Sequence, residues 1–116
     1  MRSDLIGAYG EHLAARYLRD NNYDINAANF KTYTGEIDLV AEKNGVICFV
    51  EVKTRQIGCM FSPADAVNPH KQENIKSAAA VYLNKWANGS AYRFDIIEVF
   101  LDGKELQDIN HIPDAF

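Results

Sequence analysis

Residues 36–54 read EIDLVAEKNGVICFVEVKT. Two apolar, β-branched runs flank Asn44-Gly45, the strongest short signal for a two-residue hairpin turn. Ile37 to Lys43 and Val46 to Thr54 are therefore expected to be antiparallel strands. Such a turn pairs Lys43 with Val46. Further along the ladder, Val40 then faces Phe49, Asp38 faces Glu51 and Glu36 faces Lys53. Strand side chains alternate between faces. One face is expected to carry Glu36, Asp38, Glu51 and Lys53 at one end, followed by Val40, Phe49, Glu42 and Ile47. The other carries Ile37, Leu39, Ala41, Cys48, Val50 and Val52 as continuous core. A slip of one residue would send one carboxylate to the opposite face.

Outward from the hairpin, the spacing predicts a helix from about Asp4 to Asp20, with Ser3 as N-cap and Ile6, Tyr9, Leu13 and Tyr17 as its core stripe. Tyr23 to Tyr33 reads as a strand of poor composition, because Asn and Ala are weak sheet formers. Beyond the hairpin, a loop from Arg55 to about Asn68 holds Gly58 and Pro63. A second helix starts at Pro69 and runs to about Ala87, with Ile75, Ala79, Tyr82 and Trp86 on one stripe. Asn88-Gly89-Ser90 matches a glycosylation sequon but reads as that helix's stop. Tyr92 to Leu101 alternates as a strand. Asp102-Gly103 turns it into a last strand, Glu105 to Ile112. The fold class is α/β, a mixed sheet of about five strands flanked by helices in the order αβββαββ, forming one domain over residues 1–116.

The chain has 116 residues, 47% hydrophobic and 24% charged, which excludes bulk disorder and fibrous repeats. No apolar run approaches the ~18–20 residues of a membrane span. The start, Met1-Arg2-Ser3-Asp4, lacks the apolar block of a signal peptide, so a cytoplasmic protein away from membranes is expected. Cys48 is expected as a buried thiol. Cys48 and Cys59 offer no zinc spacing, and a disulfide is not expected without export. The formal net charge is −4. Residues 94–116 carry six acids and one base, and the remainder has 11 bases and 10 acids. Any nucleic-acid binding must therefore rest on a local basic patch, and should weaken steeply with salt.

Asp38 and Glu51, directly opposed, would have Cβ atoms roughly 5 Å apart. Folding alone gives no reason to oppose two carboxylates; a bound cation does. Hard oxygen ligands suit Mg²⁺ or Mn²⁺. Lys53 points to the same side, where an ammonium can orient water and offset phosphate charge. The competing reading is a Glu36–Lys53 surface ion pair beside a solvated acidic edge.

Asp38 followed by Glu51-Val52-Lys53 resembles the PD-(D/E)xK motif of restriction-endonuclease-like nucleases. Gly35-Glu36-Ile37-Asp38-Leu39-Val40 and Phe49-Val50-Glu51-Val52-Lys53-Thr54-Arg55 resemble the signature segments of the YraN-like family of predicted nucleases. Gly7, Gly10-Glu11 and Ala14 on the first helix, and Lys71-Gln72 on the second, extend the likeness over nearly the whole chain. The resemblance implies a restriction-endonuclease-like fold, similar to that of archaeal Holliday junction resolvases. It implies Asp38 and Glu51 as metal ligands, Glu11 completing the acidic cluster, and Lys53 positioning the attacking water. Glu36 would support the site, by pairing with Lys53 or structurally. Lys71 and Gln72 open a helix whose free N–H groups favour phosphate. With Arg55 and Lys31 they are the expected nucleic-acid contacts; Lys76 and Arg16 are further candidates. Ile37 stands where the motif's name has Pro.

The function so implied is a Mg²⁺- or Mn²⁺-dependent endonuclease acting on structured or branched DNA. A two-fold homodimer would match a two-fold junction. The rival readings are a non-catalytic nucleic-acid-binding module that keeps the nuclease shape, and a hydrolase of small phosphoesters, for which no Gly-rich phosphate loop is present.

Overall fold

The computed structural model describes residues 3–58 and 67–116. The side chains of Ser3 and Asp4 lie outside the described set, as do Cys59, Pro63 and most of the loop expected around them. The elements are α1 (Ser3–Asp20), β1 (Asp24–Lys31), β2 (Glu36–Lys43), β3 (Val46–Gln56), α2 (Pro69–Trp86), β4 (Ala91–Asp102) and β5 (Glu105–Ile112). The strands form one sheet in sequence order. β3 and β4 are parallel and every other pair is antiparallel. Parallel neighbours need a long crossover, and α2 lies within it. The mixed αβββαββ architecture stands as expected.

Local chemistry sets the element ends. Lys43 pairs with Val46, and Asn44 and Gly45 both take positive φ, 53° and 78°, as a primed hairpin turn requires. α1 ends in a Schellman arrangement. Asn22 has φ 69°, and the N–H of Tyr23 reaches the Leu18 carbonyl at 2.9 Å. Asn68 caps α2 by accepting the Lys71 N–H at 2.8 Å. Gly89, at φ 83°, turns the chain after α2. β1 stops at Lys31, short of the expected Tyr33. The chain there folds into a tight turn in which Thr32 N–H donates to the Gly35 carbonyl, and Thr34 meets Ser77 of α2 at 2.7 Å.

The expectation of one core face needs correction, because both faces are covered. Leu39, Ala41, Cys48 and Val50 pack with Leu13, Ala14 and Leu18 of α1. Val40, Ile47 and Phe49 pack with Ile75, Ala78, Ala79 and Tyr82 of α2. A central strand sandwiched between helices reads apolar on both sides. The buried line of α1 also lies deeper than the expected stripe. It runs through Gly10, Ala14 and Leu18, while Ile6, Tyr9 and Tyr17 sit at the margin. A Cβ on Gly10 would lie 1.8 Å from Thr54 Oγ1, so the small residue lets α1 close onto β3. Gly7 has no such neighbour. Trp86, expected in the core, is 60% exposed beyond the end of the α2 stripe. Cys48 is buried as expected, and burial pushes its thiol up to about 11.

The acids of the C-terminal stretch lie on or next to β4 and β5, with Asp102, Glu105, Asp108 and Asp114 exposed. Asp95 is fully buried. It accepts from Arg93 at 2.9 Å and the Asp114 N–H at 3.0 Å, and lies 2.8 Å from His111 Nε2. Burial opposes its charge, but these partners outweigh that, and its carboxyl stays below the usual range.

Gly35 touches the backbone of α2 just ahead of the acidic hairpin. A Cβ there would lie 2.2 Å from the Asn74 carbonyl oxygen. Backbone cannot rotate away, so Gly35→Ala should destabilise the protein by about 1–3 kcal/mol. Thermal unfolding would show a lowered Tm; an unchanged Tm would mean that α2 can draw back freely.

Candidate active site

The β2–β3 ladder follows the expected register from Lys43–Val46 to Leu39–Val50. There the described pairing ends, and the Val52 N–H donates to Asp38 Oδ2 at 2.8 Å. A side chain has taken the place of a backbone acceptor. The strands part at this level, and Ile37 turns to the α2 face instead of continuing the Leu39 face. β1 shifts its register earlier, between Ile25 and Ala27. Ala28 pairs with Leu39 and Phe30 with Ile37, so Asn29 stands across from Asp38. Asn29 adopts φ 51°, a left-handed conformation that Asn tolerates better than most residues.

Asp38 and Glu51 act on each other electrostatically at this opening, but not as the directly opposed pair expected from the hairpin, because the ladder ends at Leu39 and Val50. Glu51 is only 4% exposed. Burial, and then the charge of Glu51, push the Asp38 carboxyl up to about 7. Two ammonium groups attend Glu51. Lys71 Nζ lies 2.5 Å from Oε1, and Lys53 Nζ lies 3.6 Å from the same oxygen. Burial works against the Lys71 charge, but the bond to Glu51 outweighs it and raises its pKa. Lys53 moves the other way, lowered by burial and by the neighbouring Lys71. Glu11, from α1, borders the same field. Burial raises its pKa, a hydrogen bond from Asn29 lowers it, and Glu36 and Glu51 raise it.

Several expected contacts lie elsewhere. The Glu36–Lys53 ion pair is replaced by Lys53–Glu51, because the ladder ends before those residues meet. Glu36 pairs instead across β1, with Lys31 as its backbone neighbour. The N–H of Lys71, expected to be open to phosphate, is taken by Asn68; its side chain is what enters the site. Arg55 pairs with Glu98 at 3.1 Å, and Gln72 donates to the Val67 carbonyl at 3.0 Å. Both border the cavity that Lys53 opens onto. Lys76 lies over the Phe94 ring. Arg16 lines a groove with Asp20, Leu106 and Ile109, away from the carboxylates. Asn29 was not singled out from the sequence. Its trace there is the poor strand composition of Asn26-Ala27-Ala28-Asn29.

The donor set fits a hard divalent cation. Asp38 and Glu51 offer carboxylate oxygens of the kind a hard divalent cation takes, and the Lys71 ammonium occupies Glu51 Oε1. Among the described residues, no three acidic, His or Cys side chains already form a closed ligand group. A cation held by the pair would rely on water for its remaining ligands, as Mg²⁺ commonly does.

Because the native pKa of Asp38 lies above the ordinary carboxylate value, the folded state keeps a proton that the unfolded chain has released. Stability of the metal-free protein then falls as pH rises from about 4 to about 7. Asp38→Asn removes that loss and keeps an acceptor for Val52. In EDTA the variant should exceed wild type by on the order of 3 kcal/mol at pH 8, and the gain should shrink towards pH 4. Thermal melts across this range check it; a gain independent of pH would remove the coupled-carboxylate account.

The model of the uncharacterised protein family UPF0102 matches residues 10–99. A UPF0102 protein of Syntrophomonas wolfei is 46% identical over 113 residues, covering 96% of each chain. One from Alkaliphilus oremlandii is 45% identical over 114 residues, covering 96% of this chain and 97% of that one. One from Caldanaerobacter subterraneus is 45% identical over 115 residues, covering 96% and 93%. The matched span includes Glu11, Asp38, Glu51, Lys53 and Lys71, and the chain belongs to UPF0102, the YraN family.

Proposed function

We propose that this chain is a metal-dependent phosphodiesterase that cuts nucleic acid, with structured or branched DNA as its substrate. The observation that carries the reading is the pair Asp38 and Glu51, brought together where β2 and β3 part, with Lys53 and Lys71 against Glu51. A surface ion-pair edge does not account for it. Glu51 is buried, and burial together with the charge of Glu51 pushes the Asp38 carboxyl up to about 7.

Asp38 and Glu51 would hold a Mg²⁺ or Mn²⁺ ion, with Glu11 on α1 acting through water or at a second metal. When bound, the cation supplies Lewis-acid stabilisation of charge on a phosphoryl oxygen. Lys53 would orient the attacking water and offset charge on the scissile phosphate. Its lowered pKa marks it as the lysine that gives up a proton more readily. Lys71 holds the Glu51 carboxylate by ion pair and adds positive charge towards the substrate backbone. Water attacks phosphorus in line with the departing 3′ oxygen. The P–O3′ bond breaks, the 3′ oxygen takes a proton, and the products are a 5′-phosphate and a 3′-hydroxyl. Lys53, Lys71 and Arg55 are the basic groups at the site, held there by Glu51 and Glu98, and a substrate phosphate would have to share them with those carboxylates.

The test is a nicking assay on junction, flap, single-stranded and duplex DNA with Mg²⁺, Mn²⁺ or EDTA. Wild type should cut only with metal, and Asp38→Asn should lose at least about 100-fold. Equal cutting by the variant would remove the site assignment. Tight binding without cutting under either metal would favour the non-catalytic module.

A further inference from the structure

Beside the carboxylates lies a second feature that the cutting chemistry does not use. A cavity of about 300 Å³ opens next to Lys53 and is lined by Gln72, Ile96, Glu98, Ile112 and Phe116. Its position follows from the sheet. Glu51 pairs with Ile96 on β4, and Ile96 pairs with Ile112 on β5. The next row is Lys53, Glu98 and Asn110. Strands are ~4.8 Å apart. The floor therefore starts one strand from Glu51 and ends two strands away, a lateral step of about 5 to 10 Å. That step is within reach of the base of a nucleotide whose phosphate lay at Lys53.

The lining has two kinds of surface. Ile96, Ile112 and Phe116 are apolar. Phe116 is fixed by stacking on Phe94, with centroids 5.2 Å apart, and by the Ala115 N–H on the Phe94 carbonyl at 2.7 Å. The polar wall is equally fixed. Arg55 holds one oxygen of Glu98 at 3.1 Å, and Asn110 holds the other at 2.9 Å. The Gln72 amide gives one N–H to Val67, while a primary amide carries two N–H groups and an acceptor oxygen. An apolar guest would waste this edge. A planar heterocycle with ring donors and acceptors would use both surfaces.

We infer that this cavity takes an unpaired nucleobase next to the scissile phosphate. The inference rests on the phosphodiesterase reading and narrows its substrate. A base stacked inside a duplex cannot reach a side pocket without leaving the helix. Substrates with an unpaired nucleotide at the cut are selected: single strands, flaps or the open centre of a branch.

The test compares a six-nucleotide single-stranded DNA with the same backbone made abasic, both titrated in EDTA into the full chain labelled for NMR. The intact strand should shift the Gln72 side-chain amide and the Ile96 and Ile112 methyls. The abasic strand should bind about 10-fold more weakly and leave those signals in place. Ile112→Trp puts a larger ring at the cavity from the edge strand, at a residue already 37% exposed. It should abolish the difference between the two strands, while Ile112→Val keeps it. Equal binding of both strands, shifts confined to other residues, or no binding of either overturns the pocket. The two readings can fail separately. Base-dependent binding without cutting under Mg²⁺ or Mn²⁺ would sink the phosphodiesterase and keep the pocket. Metal-dependent cutting with equal binding of the two strands would do the reverse.

Discussion

The bond from the Val52 N–H to Asp38 Oδ2 is the contact on which the acidic end of the sheet depends. A ladder satisfies its N–H groups with backbone carbonyls; here a carboxylate does so, and the two central strands separate. The separation lets Glu51, Lys53 and Lys71 share one opening instead of being flattened against a continuous sheet. It also turns Ile37 to the α2 side. Two carboxylates facing each other under cover repel. The protein meets that cost with two ammonium groups on Glu51 and an Asp38 carboxyl whose affinity for a proton is raised. A divalent cation would meet it more completely, which is the physical link between this geometry and the proposed chemistry.

The rest of the fold keeps that opening rigid. α1 closes on β3 through Gly10 against Thr54, and α2 closes on the start of β2 through Gly35 against Asn74. Each contact leaves no room for a Cβ. Each lies within three residues of an acidic site residue in sequence, Glu11 and Glu51 for the first pair, Glu36 and Asp38 for Gly35. On the far side, Asp95 ties β4, β5 and the C-terminal residues together through Arg93, His111 and Asp114. That anchor holds Phe116 beside the cavity next to Lys53. One of the six C-terminal acids, Asp95, is thus internal wiring.

Much of this was legible in the residues. Asn44-Gly45 set the register of the hairpin, because a two-residue primed turn leaves one pairing. Counting from that register opposes Asp38 to Glu51, but the ladder closes at Leu39 and Val50, and Asp38 takes the Val52 N–H instead. The bounds of β5 and the start of α2 at Pro69 were equally local, set by Asp102-Gly103 and by Asn68-Pro69. The reading went astray where a residue's surroundings come from elsewhere in the chain. Lys71 was expected to offer its backbone to phosphate, yet Asn68 takes that N–H and the side chain reaches Glu51 on another element. Arg55 was expected to face a ligand's backbone, yet it meets Glu98 across two parallel strands. Asn29 left only weak strand composition as its trace, because its role lies in facing Asp38 and bonding Glu11.

By itself, then, the sequence determined the order of helices and strands and the hairpin register from Lys43–Val46 to Leu39–Val50. These are short-range consequences of turn chemistry and of the two-residue period of a strand. Only the tertiary structure decided which face each helix covers, that the ladder stops at Leu39 and Val50, and that Lys71 completes the charge balance at Glu51. It also decided that a cavity lies two strands deep beside Lys53. These are packing outcomes between segments far apart in the chain, and spacing along one strand carries no record of which distant side chain will fill the space above it.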